Sequence, residues 1–296
     1  MAADRIDAIE ALIHQDTGRN ATALFAATRG GLRAAATALA GTSAPRIGLL
    51  TGFYVPMGTP PAAETDGPAG AALLARFWAG VGAPCRLLTD APCAAACTAA
   101  LAGAGVATPV DSVALEAPLG PAIAAWRQAG IDWAIAIERC GRSAGGVPRN
   151  MRGQDISRHA APLDELFTAG PWRTLGIGDG GNELGMGKLP VALIERHIAH
   201  GATIACVTPA DHLVTAGVSH WGAYALIAAL GLLRSDWTRT AIGCLDPELD
   251  RRILEALVAN GPAVDGVTLR QAVTIDSLAL AEHHRVLIAI RSVLTG

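Results

Sequence analysis

Charge and aromatic rings are both scarce in this 296-residue chain. Asp, Glu, Lys and Arg supply 17% of the residues and the formal net charge is −3. No basic field is therefore present to hold a nucleic acid or an anionic membrane surface, and a small-molecule partner is expected instead. Aromatics reach only 4% against 51% hydrophobic residues, which favours helices packed closely on a sheet over an aromatic-rich binding face. The six cysteines (Cys85, Cys93, Cys97, Cys140, Cys206 and Cys244) include no C-x-x-C pair. Cys93 and Cys97, one helical turn apart, have no second pair to complete a metal site and are read as small buried residues of a reducing compartment.

Other absences narrow the field further. The start, Met1 to Arg5, runs into Ile-Asp and Ile-Glu steps, so it has no apolar stretch of a secretory signal, and a cytoplasmic location is expected. No G-x-S-x-G elbow supports a serine nucleophile. Gly187-Lys188 resembles the end of a P-loop, but Asn182 stands where its first glycine belongs and Leu189 where its magnesium-binding hydroxyl belongs. His197 and His200 lie on an amphipathic pattern without an H-E-x-x-H frame and read as surface residues. The uncharged run His212 to Leu233 is long enough to span a bilayer. Its internal His212, Ser219 and His220, its three glycines and the lack of flanking basic clusters favour a helix buried beside a sheet, with no membrane contact.

What is present is an alternation of apolar runs and helical patterns. Helices are predicted over Asp4–Gln15 and Asn20–Ala40, an N-terminal helical layer covering residues 1–45. The parallel-sheet core, residues 46–296, completes one α/β domain. Strands are predicted at Arg46–Phe53, Cys85–Thr89, Val106–Val113, Trp133–Ile137, Thr174–Ile177 and Thr203–Val207, and most of them are followed by a helical pattern. Further helices are predicted at Asp246–Asn260 and Asp276–Leu294. The expected fold is a mostly parallel, Rossmann-like three-layer sheet with helices on both faces. Ligands of such sheets lie beyond the carboxyl ends of the strands. Four segments are placed there: Thr51–Asp66, Glu138–Arg152, Asp179–Gly187 and Thr208–His212.

The third of these belongs to the stretch GIGDGGNELGMG, Gly176 to Gly187. Gly176, Gly178 and Gly181 match a dinucleotide fingerprint, but no helix opens directly after them and Asp179 would repel a phosphate, so no nucleotide cofactor is expected. Asp179, Asn182 and Glu183 instead offer hard oxygen ligands suited to a divalent cation such as Mg²⁺ or Mn²⁺. Glu64 and Asp66 are candidates to extend this acidic group, with Asp66 also placed to cap the following helix. Glu138 ends a very apolar strand, which makes its proton affinity tunable, and Arg139 beside it is its candidate ion-pair partner. Arg142, Arg149 and Arg152 are candidates to clamp a carboxylate. Thr51, Gly52, Asn150, Gly180 and Gly181 complete the candidate substrate-binding set. His212, placed after a strand end, is a candidate base.

The segments TGFYVPMGTPPAAETDGPAGA (Thr51 to Ala71), IERCGRSAGGVPRNMRGQDIS (Ile137 to Ser157) and GIGDGGNELGMG resemble the C-terminal domain family of D-glutamate cyclase, formerly a domain of unknown function. The resemblance implies reversible dehydration of D-glutamate to 5-oxo-D-proline, a carbon-oxygen lyase reaction on an acidic amino acid. Some family members carry an additional N-terminal domain, and this chain is expected to lack it. Within that expectation the chemistry assigns Glu138, Asp179 and Glu183 catalytic roles, and Arg139 or Arg149 the α-carboxylate. A homo-oligomer is left open.

Overall fold

The structure, a computed structural model, describes residues 2–296. Ten strands follow the chain: β1 (Ile47–Leu50), β2 (Tyr54–Val55), β3 (Ala62–Ala63), β4 (Cys85–Asp90), β5 (Val110–Val113), β6 (Trp133–Ile137), β7 (Arg173–Gly178), β8 (His212–Thr215), β9 (Thr274–Ile275) and β10 (Leu278–Ala279). Six of them form one sheet in the order β5-β4-β1-β6-β7-β8, and every pairing in it is parallel. The chain runs outward from β1 to β5, then crosses back to β6 and proceeds to the other edge. The order thus reverses between β1 and β6, the switch point at which a doubly wound sheet opens a crevice. β2–β3 and β9–β10 are small antiparallel pairs outside the sheet.

The sheet is buried on both faces, as the apolar strand runs require. Because successive side chains of a strand point to opposite faces, Leu49, Leu87, Ile135, Ile137, Leu175 and Ile177 enter one core, while Leu50, Leu88, Ala134 and Ala136 enter another. The first core is closed by helices that include Ala2–Ile13, Gly31–Ala40, Pro68–Gly80, Ser219–Leu233, Pro247–Asn260 and Leu280–Thr295. The second is closed by Gly120–Gln128 and Asp164–Ala169, with Trp126 and Trp172 packed edge to face.

Several predicted elements have different limits. The second N-terminal helix is two helices, Thr22–Thr28 and Gly31–Ala40. The break falls at Gly30, whose φ is +85°, and the buried Glu10 accepts from the amides of Gly30 and Leu32 to satisfy the new helix start. Thr203–Val207 is not a strand: Gly201–Ile204 is helical and the last sheet strand is His212–Thr215. A five-residue apolar run carries no periodicity to separate the two states. Its final residues are extended but bond to loops, Cys206 N–H to Gly181 O and Val207 N–H to Arg142 O. The segment Thr208–His212 therefore leads into β8 rather than following a strand.

The uncharged run divides into β8 and the helix Ser219–Leu233, buried along almost its whole length. Among the described residues no helix is long and apolar enough to cross a membrane. Cys93 and Cys97 are buried and all six cysteines are free.

Candidate active site

Four segments meet beyond the carboxyl ends of the central strands. Glu138 follows β6 directly, with φ at +41°, a left-handed conformation that costs a non-glycine residue on the order of 1–2 kcal/mol. Its N–H still bonds Ile177 O, so the turn occurs without leaving the sheet. Asp179 follows β7. Asp66 lies at the end of the long loop after β1 and accepts from Gly67 N–H. From β8 the chain passes through Ala216–Val218 to Ser219, the first residue of the buried helix. Ser219 N–H donates to Asp66 Oδ2 at 3.0 Å and to Asp179 Oδ2 at 3.1 Å, and its hydroxyl to Glu138 Oε2 at 2.6 Å. The start of this 15-residue helix is thus satisfied by carboxylates, which its dipole favours.

Of these groups Glu138 and Asp179 border a cavity of about 300 Å³ that is also lined by Arg19, Phe53, Tyr54, Glu64, Asn150, Met151, Arg152, Gly266, Asp276 and Ser277, among others, while Asp66 and Ser219 stand next to them outside its lining. Glu64, Asp66, Glu138, Asp179, Glu183 and Asp276 are all buried. One largely buried cation faces them: Arg19, whose Nε is 3.3 Å from Asp179 Oδ1 and whose Nη2 is 2.7 Å from Asp276 Oδ1.

The acids outnumber the Arg19 guanidinium and the His220 charge that bears on Asp66, and burial favours the neutral form of Glu64, Asp66, Glu138 and Asp179. Desolvation, then the Asp276 charge, raises Asp66 to about 7. Desolvation also drives Glu64, Glu138 and Asp179 well above the ordinary range, with neighbouring carboxylates adding to it, and for Asp179 the Arg19 charge partly opposes the rise. Arg19 itself loses proton affinity through burial but regains more from Asp179 and Asp276.

The glycine stretch holds an internal carboxylate. Glu183 Oε1 accepts from Gly180 N–H at 2.6 Å and Asp179 N–H at 3.2 Å, and Oε2 from Gly181 N–H at 2.8 Å. The amides that would cradle a phosphate are taken up by the chain's own acid. Gly181 sits at φ +94°, and a Cβ on Gly178 would lie 3.0 Å from the Glu183 carboxyl carbon, so both glycines are required by this close wrap. Asn182 is turned elsewhere: its Nδ2 donates to Arg149 O at 2.8 Å and joins the glycine loop to the loop after β6. Of the expected trio Asp179, Asn182 and Glu183, the two acids come together, and Asn182 Oδ1 is buried without a donor. Two other groups of three bring carboxyl oxygens within 4.8 Å of one another, Glu138–Asp179–Glu183 and Asp66–Asp179–Asp276.

Several other expected residues stand outside the cavity. Arg139 does not pair with Glu138. It is sealed at 1% exposure and donates to Asp90 Oδ2 at 2.6 Å, to Gly52 O and to Ala161 O. Thr51 is fully buried and bonds Ile137 O. Arg149 bonds Gly153 O within its own loop, and Arg142 is exposed. Asn150 lines the cavity, where its Oδ1 accepts from the amides of Arg152 and Gln154 and shapes the loop. His212 opens β8, with its Nε2 3.1 Å from Arg173 Nη2. That is the amino end of the strand, away from the cavity, so it is not placed as a base.

Three residues of the site carried no sequence signal strong enough to single them out. Arg19 lies in the Thr17-Gly18-Arg19-Asn20 turn between two helical patterns, Ser219 inside the uncharged run, and Asp276 at what reads as a helix start. Asp276 instead belongs to the turn between β9 and β10 at φ +54°. The fully buried Asp265 organises that wall by accepting from Val267 N–H, Thr268 N–H, Thr274 Oγ1 and Ser277 N–H.

Fold and site together define a doubly wound α/β protein with an acidic cavity at its switch point. A family model described as D-glutamate cyclase-like, C-terminal, matches residues 9–291, and the chain belongs to that family. The Homo sapiens protein named D-glutamate cyclase, mitochondrial, is 47% identical over 121 residues. That match covers 38% of this chain and 20% of the human protein, so it spans one fifth of that relative's length.

Proposed function

We propose that the chain is a carbon-oxygen lyase that closes D-glutamate reversibly to 5-oxo-D-proline with loss of water. The family and the relative's name support the substrate. The observation that carries the chemistry is a cavity whose wall brings the buried carboxyl groups of Glu64, Glu138, Asp179 and Asp276 beside the Arg19 guanidinium. In the forward reaction the amine nitrogen forms a bond to the γ-carboxyl carbon and a carbon-oxygen bond breaks. The protons that the amine gives up are the ones the departing oxygen needs to leave as water, so a group titrating near neutrality can pass them on. Asp66, raised to about 7, and Glu138, oriented by Ser219, are the acid–base pair assigned to this transfer. Asp179 holds the Arg19 guanidinium, which takes the substrate α-carboxylate in place of Arg139 and Arg149. Glu183 acts through the backbone it fastens.

The test is incubation with D- and L-glutamate followed by chiral separation of the pyroglutamate formed. Product from the D-isomer, lost in Glu138→Gln and Asp179→Asn, is expected. Saturable glutamate binding without product from either isomer would leave the chain as a binding module for acidic amino acids and end the lyase reading.

A further inference from the structure

The two carboxyl groups of three that share Asp179 differ in what already occupies their oxygens. In Glu138–Asp179–Glu183, both Glu183 oxygens accept from backbone amides and Glu138 Oε2 accepts from Ser219. In Asp66–Asp179–Asp276, Asp66 likewise accepts from Gly67 N–H and Ser219 N–H, but Asp276 Oδ2 has no donor although the residue is only 8% exposed. Glu64 is also 8% exposed, leaves Oε1 without a donor and lines the same cavity. The Asp276, Asp66 and Asp179 charges all bear on Glu64. A buried carboxylate oxygen with no partner costs about 1–3 kcal/mol or more, and hard oxygens gathered this closely are the donor set of a divalent cation.

Arg19 sits on this same group through Asp179 and Asp276. It is presented by a short turn with left-handed residues on either side, Gly18 at φ +104° and Asn20 at φ +60°, and its Nη1 also bonds Thr17 Oγ1. A planar guanidinium binds along its own fork, and it leaves Asp276 Oδ2 and Glu64 Oε1 unmet. A compact divalent ion with water in its shell can meet oxygens from several directions.

We propose that Glu64, Asp66, Asp179 and Asp276 form a binding site for a divalent cation of the Mg²⁺ or Mn²⁺ class, and that the ion and the Arg19 guanidinium are alternative occupants of Asp179 and Asp276. The proposal takes from the lyase reading only the location of the cavity. Displaced from the two carboxylates, Arg19 is released toward an anionic ligand in the same space, so ion binding and carboxylate binding reinforce one another.

Titration of the full chain with Mn²⁺, followed by the electron paramagnetic resonance of the free ion, tests this without reference to turnover. Wild type is expected to bind one Mn²⁺ that Mg²⁺ displaces. Removing the competing cation in Arg19→Met tightens binding at least about tenfold, Asp276→Asn weakens it at least about tenfold, and Glu138→Gln changes it by less than about threefold. Asparagine tolerates the left-handed backbone of position 276. If Asp276→Asn nonetheless loses its native circular dichroism, Glu64→Gln carries the same criterion. Three results would overturn the proposal: no saturable binding in wild type and Arg19→Met alike, no gain in Arg19→Met, or loss in Glu138→Gln with Asp276→Asn unaffected. A chain that binds Mn²⁺ as expected but forms no pyroglutamate would sink the lyase reading and leave the cation site standing.

Discussion

Two arginines deep in this fold are held in opposite ways. Arg139 meets one carboxylate, Asp90, and two carbonyls, and it is sealed from solvent. Asp90 Oδ2 accepts in addition from Ala161 N–H, so the pair ties the ends of β4 and β6 to the loop before Asp164–Ala169. Arg19 meets two carboxylates at the wall of a cavity that Glu64 and Glu138 also line, with Asp66 and Glu183 buried close to Asp179. The first arrangement matches one charge to one charge, although Asp90 Oδ1 and Arg139 Nε find no partner of their own. The second carries an excess of acids that only protons, a cation or a ligand can balance, and this imbalance separates a working site from a structural pair.

The comparison breaks most sharply at the closed pair. Arg139→Met leaves Asp90 buried without its cation and should cost about 3–5 kcal/mol by chemical denaturation, a large part of a typical domain's stability. Removing both charges, in Arg139→Met with Asp90→Leu, should recover much of that loss. At the open site the order of effects reverses. Glu138→Gln removes a buried acid at a strained backbone position, so its melting temperature should hold or rise while kcat falls about 10²–10⁴-fold. A fall in stability equal to that of Arg139→Met would erase the distinction between the two regions.

An effect of similar size follows from pH. Asp66 holds its proton up to about pH 7 when folded, against an ordinary value of 3.8. Between these values the folded state binds more protons than the unfolded one, so stability is greatest below about pH 4 as far as this group is concerned. It then declines as pH rises toward 7. The slope for one such group is about 1.4 kcal/mol per pH unit, and Glu64, Glu138 and Asp179 act in the same direction. Asp250, by contrast, has its proton affinity lowered. Burial opposes that shift, but the His220 charge and its hydrogen bond outweigh it, so its effect falls below pH 4, outside this window. His283, lowered to about 4 chiefly by burial, works against the decline inside the window and is outnumbered by the four raised acids. Melting curves at steps from pH 4 to 7 should show the decline, and Asp66→Asn should flatten it. The smallest change is expected at the rim, where the exposed Arg152 lines the cavity mouth. Arg152→Ala should raise KM for glutamate a few-fold, worth under about 1 kcal/mol, and the difference should vanish at high salt.

Much of the fold can be read in the chain. The strands at Trp133–Ile137 and Thr174–Ile177 are apolar runs ended by an acid or a glycine turn, and their position is recovered almost to the residue. Thr203–Val207 was legible only as an apolar run, because five residues suit a strand or a helix equally until their hydrogen bonds are known. For the site, Glu64, Asp66, Glu138 and Asp179 stood out because each follows or precedes a strand or helix boundary rich in glycine. Arg139 and Glu138 are adjacent in sequence but end on different partners, since the turn at Glu138 separates them.

What the sequence by itself determined is therefore the alternation of strand and helix and the concentration of acids in loops at one sheet edge, both consequences of local periodicity and glycine placement, together with the family, which three motifs carry by resemblance. Tertiary structure alone decided the reversal of strand order between β1 and β6, which makes the crevice. It also decided that Glu183 closes on its own loop amides, and that Arg19 from the first helices and Asp276 from the last hairpin meet across Asp179. The Arg19 contacts join residues more than a hundred positions apart. Their energies depend on burial and on the balance of charge, and neither exists until the chain has packed.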